Sequence, residues 1–166
     1  MTSKSISQNL NDSVTCIPNT QLRIAINLIE KGKITKEEIL EAEKQIGFEL
    51  PQSLKEFWLE IGYGRLFNNI TGITTGNSNL ILHPDMVTNL ILKDKENAIA
   101  LWEILEEFNE DDIPFFEIGD SSSFLMMKRN TKYPDGVYDN LGHLVEPSFE
   151  RFIWRLYHES PKFYFA

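Results

Sequence analysis

A single cysteine, Cys16, stands in the whole chain. A disulfide framework and a cysteine-rich zinc site are therefore both excluded within one molecule, and an unpaired thiol fits a reducing interior. Positive charge is scarce as well: 16 lysines and arginines against 25 aspartates and glutamates leave a net charge of −9. Phosphate backbones and anionic membranes are drawn to basic faces, so neither nucleic acid nor a membrane is expected as a direct ligand. A basic protein partner would be steered toward such a surface. Long hydrophobic runs are missing too. The polar opening "MTSKSISQNLNDS" has no secretory pattern, and "NLILHPDMVTNLILK" is broken by His83-Pro84-Asp85. These absences predict a soluble, cytoplasmic protein.

What is present reads as globular: of 166 residues, 42% are hydrophobic and 11% aromatic. That length suits one domain able to bury about 70% of the surface of its unfolded form. Residues 1–18 are polar and aperiodic and are expected to form a loosely held arm. Residues 19–166 are expected to form the single domain. Leu22, Ala25, Ile26 and Ile29 recur at helical spacing from Gln21 to Lys31. "ITKEEILEAEKQIG" opens with a capping box at Thr35 and Glu38 and closes at Gly47. Pro51 suits the first turn of the next helix, where Leu54, Phe57, Trp58 and Ile61 form an apolar stripe and Gly62 and Gly64 end it. The pair predicts a helical hairpin with a tight corner.

"RLFNNITGITTGNSNLIL" reads as one or two strands with loops. Pro84 begins a short helix, and Asp94 is expected to cap another whose inner face holds Ala98, Leu101, Trp102, Leu105 and Phe108. "IPFFEIG" is a buried strand, "SFLMMKR" a second, and two more flank the turn at Asn140-Leu141-Gly142. Ser148 caps a closing helix with Phe149, Phe152, Ile153, Leu156 and Tyr157 on one face. Helices, a meandering sheet and a closing helix make an α+β fold. Phe163, Tyr164 and Phe165 fall past Pro161, either folded back onto the domain or offered to a partner or second subunit.

The Gly-x-x-Leu-Pro corner, the "LKEFWLEIGYG" after it, "FFEIGDSSSFLMM" and the closing "EPSFERFIWRL" together resemble the SUKH superfamily, from about Ile34 to Tyr157. The matching positions are Gly47, Leu50 and Pro51, the pair Phe57 and Trp58, then Gly119 and Asp120, and finally Ser148 and Phe149. Gly62-Tyr63-Gly64 and Ser121-Ser122-Ser123 depart from the family pattern. The resemblance implies a central, mostly antiparallel sheet flanked by helices, and no catalytic role. It further implies a non-enzymatic immunity protein that binds and neutralises a cognate bacterial toxin of the nuclease type. The alternative that it carries is an intracellular regulatory interaction module like the fungal cell-wall-assembly regulators.

Two stretches are candidate contact surfaces. From Glu103 to Asp120 there are eight carboxylates and no lysine or arginine, among them Glu106, Glu107, Glu110, Asp111, Asp112 and Asp120. Such a block either mimics a phosphate backbone for a basic toxin or serves as a solvated helix face. "GRLFNNITG" combines Arg65 and Phe67 with two asparagines, the mix of anchor and adaptable polar group found at interfaces, although it equally completes a turn. Chemistry finds little support. His143, Asp139 and the serines at 121–123 supply triad residue types without a nucleophile elbow, and His83-x-Asp85 lacks further metal ligands. Gly72 and Gly76 lack the lysine and helix of a phosphate loop. No catalytic residue, metal or cofactor is expected.

Overall fold

Thr35 begins the first helix among the described residues, as its spacing to Glu38 requires. The computed structural model describes residues 33–66, 79–100, 102–119, 123–159 and 164. In it the Glu38 N–H donates to Thr35 Oγ1 at 3.2 Å and the Thr35 N–H to Glu38 Oε2 at 2.7 Å. Two donors that a helix start leaves open are thereby satisfied, and α1 (Lys36–Ile46) follows. Gly47 stops it in the left-handed region at φ +81°. Across the corner the Leu50 N–H donates to Glu43 Oε1 at 2.8 Å, and Lys55 Nζ donates to the same oxygen at 2.9 Å. With its backbone held, Leu50 turns into the core.

Pro51 then opens α2 (Gln52–Glu60), whose stripe buries Leu54, Phe57 and Trp58. The Trp58 indole N–H donates to the Leu82 carbonyl at 2.9 Å, which fastens α2 to the chain leaving the sheet. Gly62 follows the helix, but Gly64 already belongs to a strand. The strands are β1 (Gly64–Leu66), β2 (Asn79–Ile81), β3 (Asp112–Ile118), β4 (Ser123–Lys128), β5 (Val137–Tyr138) and β6 (Leu144–Glu146). They lie in chain order in one sheet, each antiparallel to its neighbour. Between β2 and β3 run α3 (Pro84–Ile91) and α4 (Trp102–Glu107). Ser148 caps α5 (Phe149–His158) by accepting the Arg151 N–H at 3.2 Å. The fold is α+β.

A bulge between Pro114 and Phe116 lets β3 turn two consecutive rings toward α5. Phe115 lies 5.3 Å from Phe149 and 5.8 Å from Phe152, and Phe116 lies 5.5 Å from Phe152, all edge to face. Phe57 of α2 joins them at 5.6 Å from Phe149. The opposite face carries Phe124, covered by Phe108 at 5.6 Å just past α4. Helical segments therefore cover both faces. Tyr164 folds back, its ring 5.7 Å from Phe116 and its hydroxyl accepting from Asn79 Nδ2 at 2.6 Å.

The expected cap at Asp94 is corrected. Its Oδ1 accepts the N–H groups of Glu96 and Asn97, at 3.0 and 3.2 Å, and so holds a short turn, while α4 starts only at Trp102. These are the bonds that an N-cap makes, and the Ala98 N–H also reaches the Asp94 carbonyl at 2.8 Å, but the single turn is not propagated into a helix. Leu105 and Phe108 are buried as expected. The arm at residues 1–18, the helix from Gln21 to Lys31, Cys16, Phe67, Leu101, Asp120, Ser121, Ser122, Phe163 and Phe165 lie outside the described residues, as do the side chains of Trp102 and Tyr157. No helix among the described residues is long and apolar enough to cross a membrane.

Nothing lies within 4 Å of a Cβ added at Gly47, so only backbone conformation opposes a side chain there. Gly47→Ala is expected to cost roughly 1–2 kcal/mol in urea unfolding, the left-handed penalty for an L-residue. An unchanged midpoint would show that the corner does not need this conformation.

Candidate partner-binding surface

Helix α4 and the turn after it display the acidic stretch. Glu103, Glu106, Glu107 and Glu110 have exposed side chains, and Asp111 is partly buried. Chain neighbours supply no cation, but the fold brings some. Lys93 and Lys95 come from the Asp94 turn to 3.9 and 3.7 Å of Glu106. Arg129, past the end of β4, donates to the Glu110 carbonyl at 2.8 Å and sits 3.5 Å from Asp111. The Asn130 amide donates to Asp111 at 2.7 Å. Glu103, Glu107 and Glu110 carry no ion pair among the described residues.

Asp112 leaves this surface set. It begins β3, is 3% exposed, and its two oxygens accept from Lys128 Nζ and from the backbone and side-chain amides of Asn109. A carboxylate so enclosed is part of the fold and cannot meet a partner. Arg65 is separated from the others as well. Strand pairing sets Arg65 opposite Leu80, Leu80 opposite Glu117 and Glu117 opposite Phe124, so these four share one sheet face. Glu117 is near the far end of β3 from Asp111, roughly 20 Å along the strand. Arg65 and the Glu106–Asp111 run are thus two places rather than one.

The residue types of a triad are differently employed. Asp139 Oδ1 accepts the N–H groups of Leu141 and His143, at 2.9 and 2.8 Å, while Oδ2 lies 3.0 Å from His143 Nδ1. The pair fastens the turn between β5 and β6 and is open to solvent, His143 at 73% exposure. Ser123 opens β4 opposite Ile118. His83 caps α3 through Nδ1, which accepts the Asp85 N–H at 3.1 Å, and stacks edge-on to Tyr63 at 4.7 Å. Among the described residues no group of three His, Cys, Asp or Glu stands close enough to hold a metal.

One concavity has no counterpart in the sequence reading. An open cleft of about 420 Å³ lies between the Glu49–Gln52 corner, the end of β4 and the turn at Pro134-Asp135. The Ser53 hydroxyl donates to Asp135 across 82 positions of chain. Burial lifts the Asp135 carboxyl above its ordinary value; the Ser53 hydroxyl and the Phe149 N–H oppose that, and the charges of Glu150 and Glu56 add to it. Separation in sequence hides this site, since no local pattern links position 53 to 135.

The profile of the SMI1 / KNR4 family (SUKH-1) matches residues 33–155. The chain belongs to this family. A relative in Bacillus subtilis (strain 168), immunity protein YxxD, is 31% identical over 122 residues, covering 69% of this chain and 79% of the relative. No solved structure gives a significant match. In this SUKH-1 chain the corner at Gly47, Leu50 and Pro51 and the aromatic pair Phe57 and Trp58 all lie within the matched span.

Two measurements separate internal from displayed carboxylates. Asp112→Ala strips partly buried Lys128 and the Asn109 amides of their partner and is expected to cost about 2–4 kcal/mol, whereas Glu107→Gln should stay within about 0.5 kcal/mol by chemical denaturation. Burial also lifts the Glu117 carboxyl above 4.5, with the Arg65 charge pulling it back. The folded chain then holds this proton to higher pH than the unfolded chain, so its stabilisation is full below the unfolded value and lost as pH rises through the folded one. Thermal unfolding should find Glu117→Gln more stable than the parent at neutral pH, the margin shrinking toward about pH 4.

Proposed function

We propose that this protein is a cytoplasmic immunity protein which binds a cognate toxin of the nuclease type and blocks its working surface without covalent chemistry. The similarity to immunity protein YxxD over 69% of the chain carries this reading. The charge distribution supports the mode of binding: net −9, with Glu103, Glu106, Glu107 and Glu110 displayed on and beside α4. A nuclease that grips phosphates presents a basic cleft, to which displayed carboxylates are complementary in charge. Long-range attraction raises the encounter rate, and the contacts made afterwards set the dissociation rate. Isolated exposed pairs contribute about 0–1 kcal/mol, so attraction alone does not hold the complex.

Co-expression with toxins encoded beside the gene tests the reading. Rescue of growth and a co-purifying complex are the expected results; a chain that neither binds nor protects against any of them is not an immunity protein. The electrostatic part is read separately by stopped-flow association. The triple variant Glu106→Lys, Glu107→Lys, Glu110→Lys should associate about tenfold more slowly at low salt, with the gap closing as ionic strength rises.

A further inference from the structure

The cleft beside the corner is lined by side chains of both charges. Lys128 and Arg129 line it, but both are engaged within the fold. Lys128 is paired with buried Asp112, and Arg129 is held by the Glu110 carbonyl and Asp111 while stacked 3.9 Å over the Phe48 ring. Asp135 and exposed Glu49 line it as well. The groups that act on Asp135 are a hydroxyl, a backbone N–H and two further carboxylates, with no cation among them. Asp135 thus lines an open cleft and, among the described residues, makes no salt bridge.

The rest of the lining is apolar. Pro51 and Pro134 line the cleft, and Ile113, 1% exposed, lies at its base. An ammonium would keep its water poorly between such walls. A guanidinium is more weakly hydrated, lays an apolar stem along apolar surface, and forks onto a carboxylate. The position matters too: Asn130 lines the cleft and bonds Asp111, so the cleft adjoins the displayed acidic run.

We propose that this cleft receives one arginine side chain from the surface of the toxin, its guanidinium paired with Asp135 and its stem lying between Pro51 and Pro134. The acidic run then gathers a basic partner, and the cleft anchors it at a defined point. The inference rests on the immunity reading only for the identity of the partner that supplies the arginine.

The full chain is titrated with N-acetyl-arginine amide, and with the matching lysine and citrulline amides, at about 0.15 M salt, followed by amide NMR shifts. Arginine amide should shift Ser53, Asn130 and Asp135 together and bind about fivefold more tightly than neutral citrulline amide, with lysine amide between them. Asp135→Asn retains an oxygen to accept the Phe149 N–H and gains an amide that can donate to the rotated Ser53 hydroxyl, and it should abolish the preference for arginine over citrulline. Gln52→Trp, at an exposed position on the rim, should fill the cleft and remove the shifts altogether. Scattered or absent shifts, or equal response to citrulline, overturn the proposal. In cells, both variants should protect at least tenfold less well against the toxin that the parent neutralises. Full protection by both would overturn the arginine slot and leave the immunity reading standing. Failure of the parent to protect against any toxin would sink the immunity reading, and the amide titration would still decide the cleft.

Discussion

Four phenylalanine rings meet where β3 passes beneath α5, and the geometry of that contact governs the rest. Phe115 and Phe116 face the same side because a bulge rotates one extra residue into place. Without it, strand alternation would send one of the two rings to the other face. Phe149 and Phe152, one helical turn apart, receive them, and Phe57 brings α2 against the same ring of Phe149. The Trp58 indole then reaches the Leu82 carbonyl. One aromatic cluster thus orients the strand at the centre of the sheet, the closing helix and the second half of the helical hairpin.

That orientation has consequences for surface chemistry. Because α2 and the start of α5 converge, Ser53 and the Phe149 N–H both reach Asp135 and hold its carboxylate at the cleft wall. Because β3 and β4 pair from Asp112 to Lys128, the cations at the end of β4 are drawn to Asp112, Glu110 and Asp111. The same principle operates at Glu146, which is buried and receives Arg151 and Arg155 from α5. Cations are used inside to neutralise enclosed carboxylates, and a chain with few of them leaves its outer carboxylates displayed. The net charge of −9 is therefore a property of the surface more than of the interior.

Family membership and geometry address different questions. Matching over residues 33–155 accounts for the corner, the aromatic pair and the closing helix, which are all packing features. Recognition of a particular partner has to come from side chains that packing leaves unassigned. Glu103, Glu107 and Glu110 are exposed and make no ion pair among the described residues.

Local signals in the sequence were enough for most elements. The capping box at Thr35, the left-handed stop at Gly47, the stripe of α2, the cap at Ser148 and the turn at Gly142 are each governed by residues within four positions of one another, so their physics is legible without a fold. Asp94 was misjudged because an aspartate offers the same oxygen to a helix start and to an isolated turn, and local pattern does not separate them. Whether a carboxylate faces solvent or a lysine is also settled beyond local reach. Asp111 and Asp112 are neighbours with the same chemistry, yet Asp111 lies in the turn and stays partly exposed, whereas Asp112 opens β3 and is enclosed by Asn109 and Lys128 from the paired strand. The chain's own order of residues determined its helices, its strands and its excess of negative charge. Only the tertiary structure decided which charges remain outside and that residues 53, 113 and 135 share a cleft, because contacts between distant segments exist only once the core has closed.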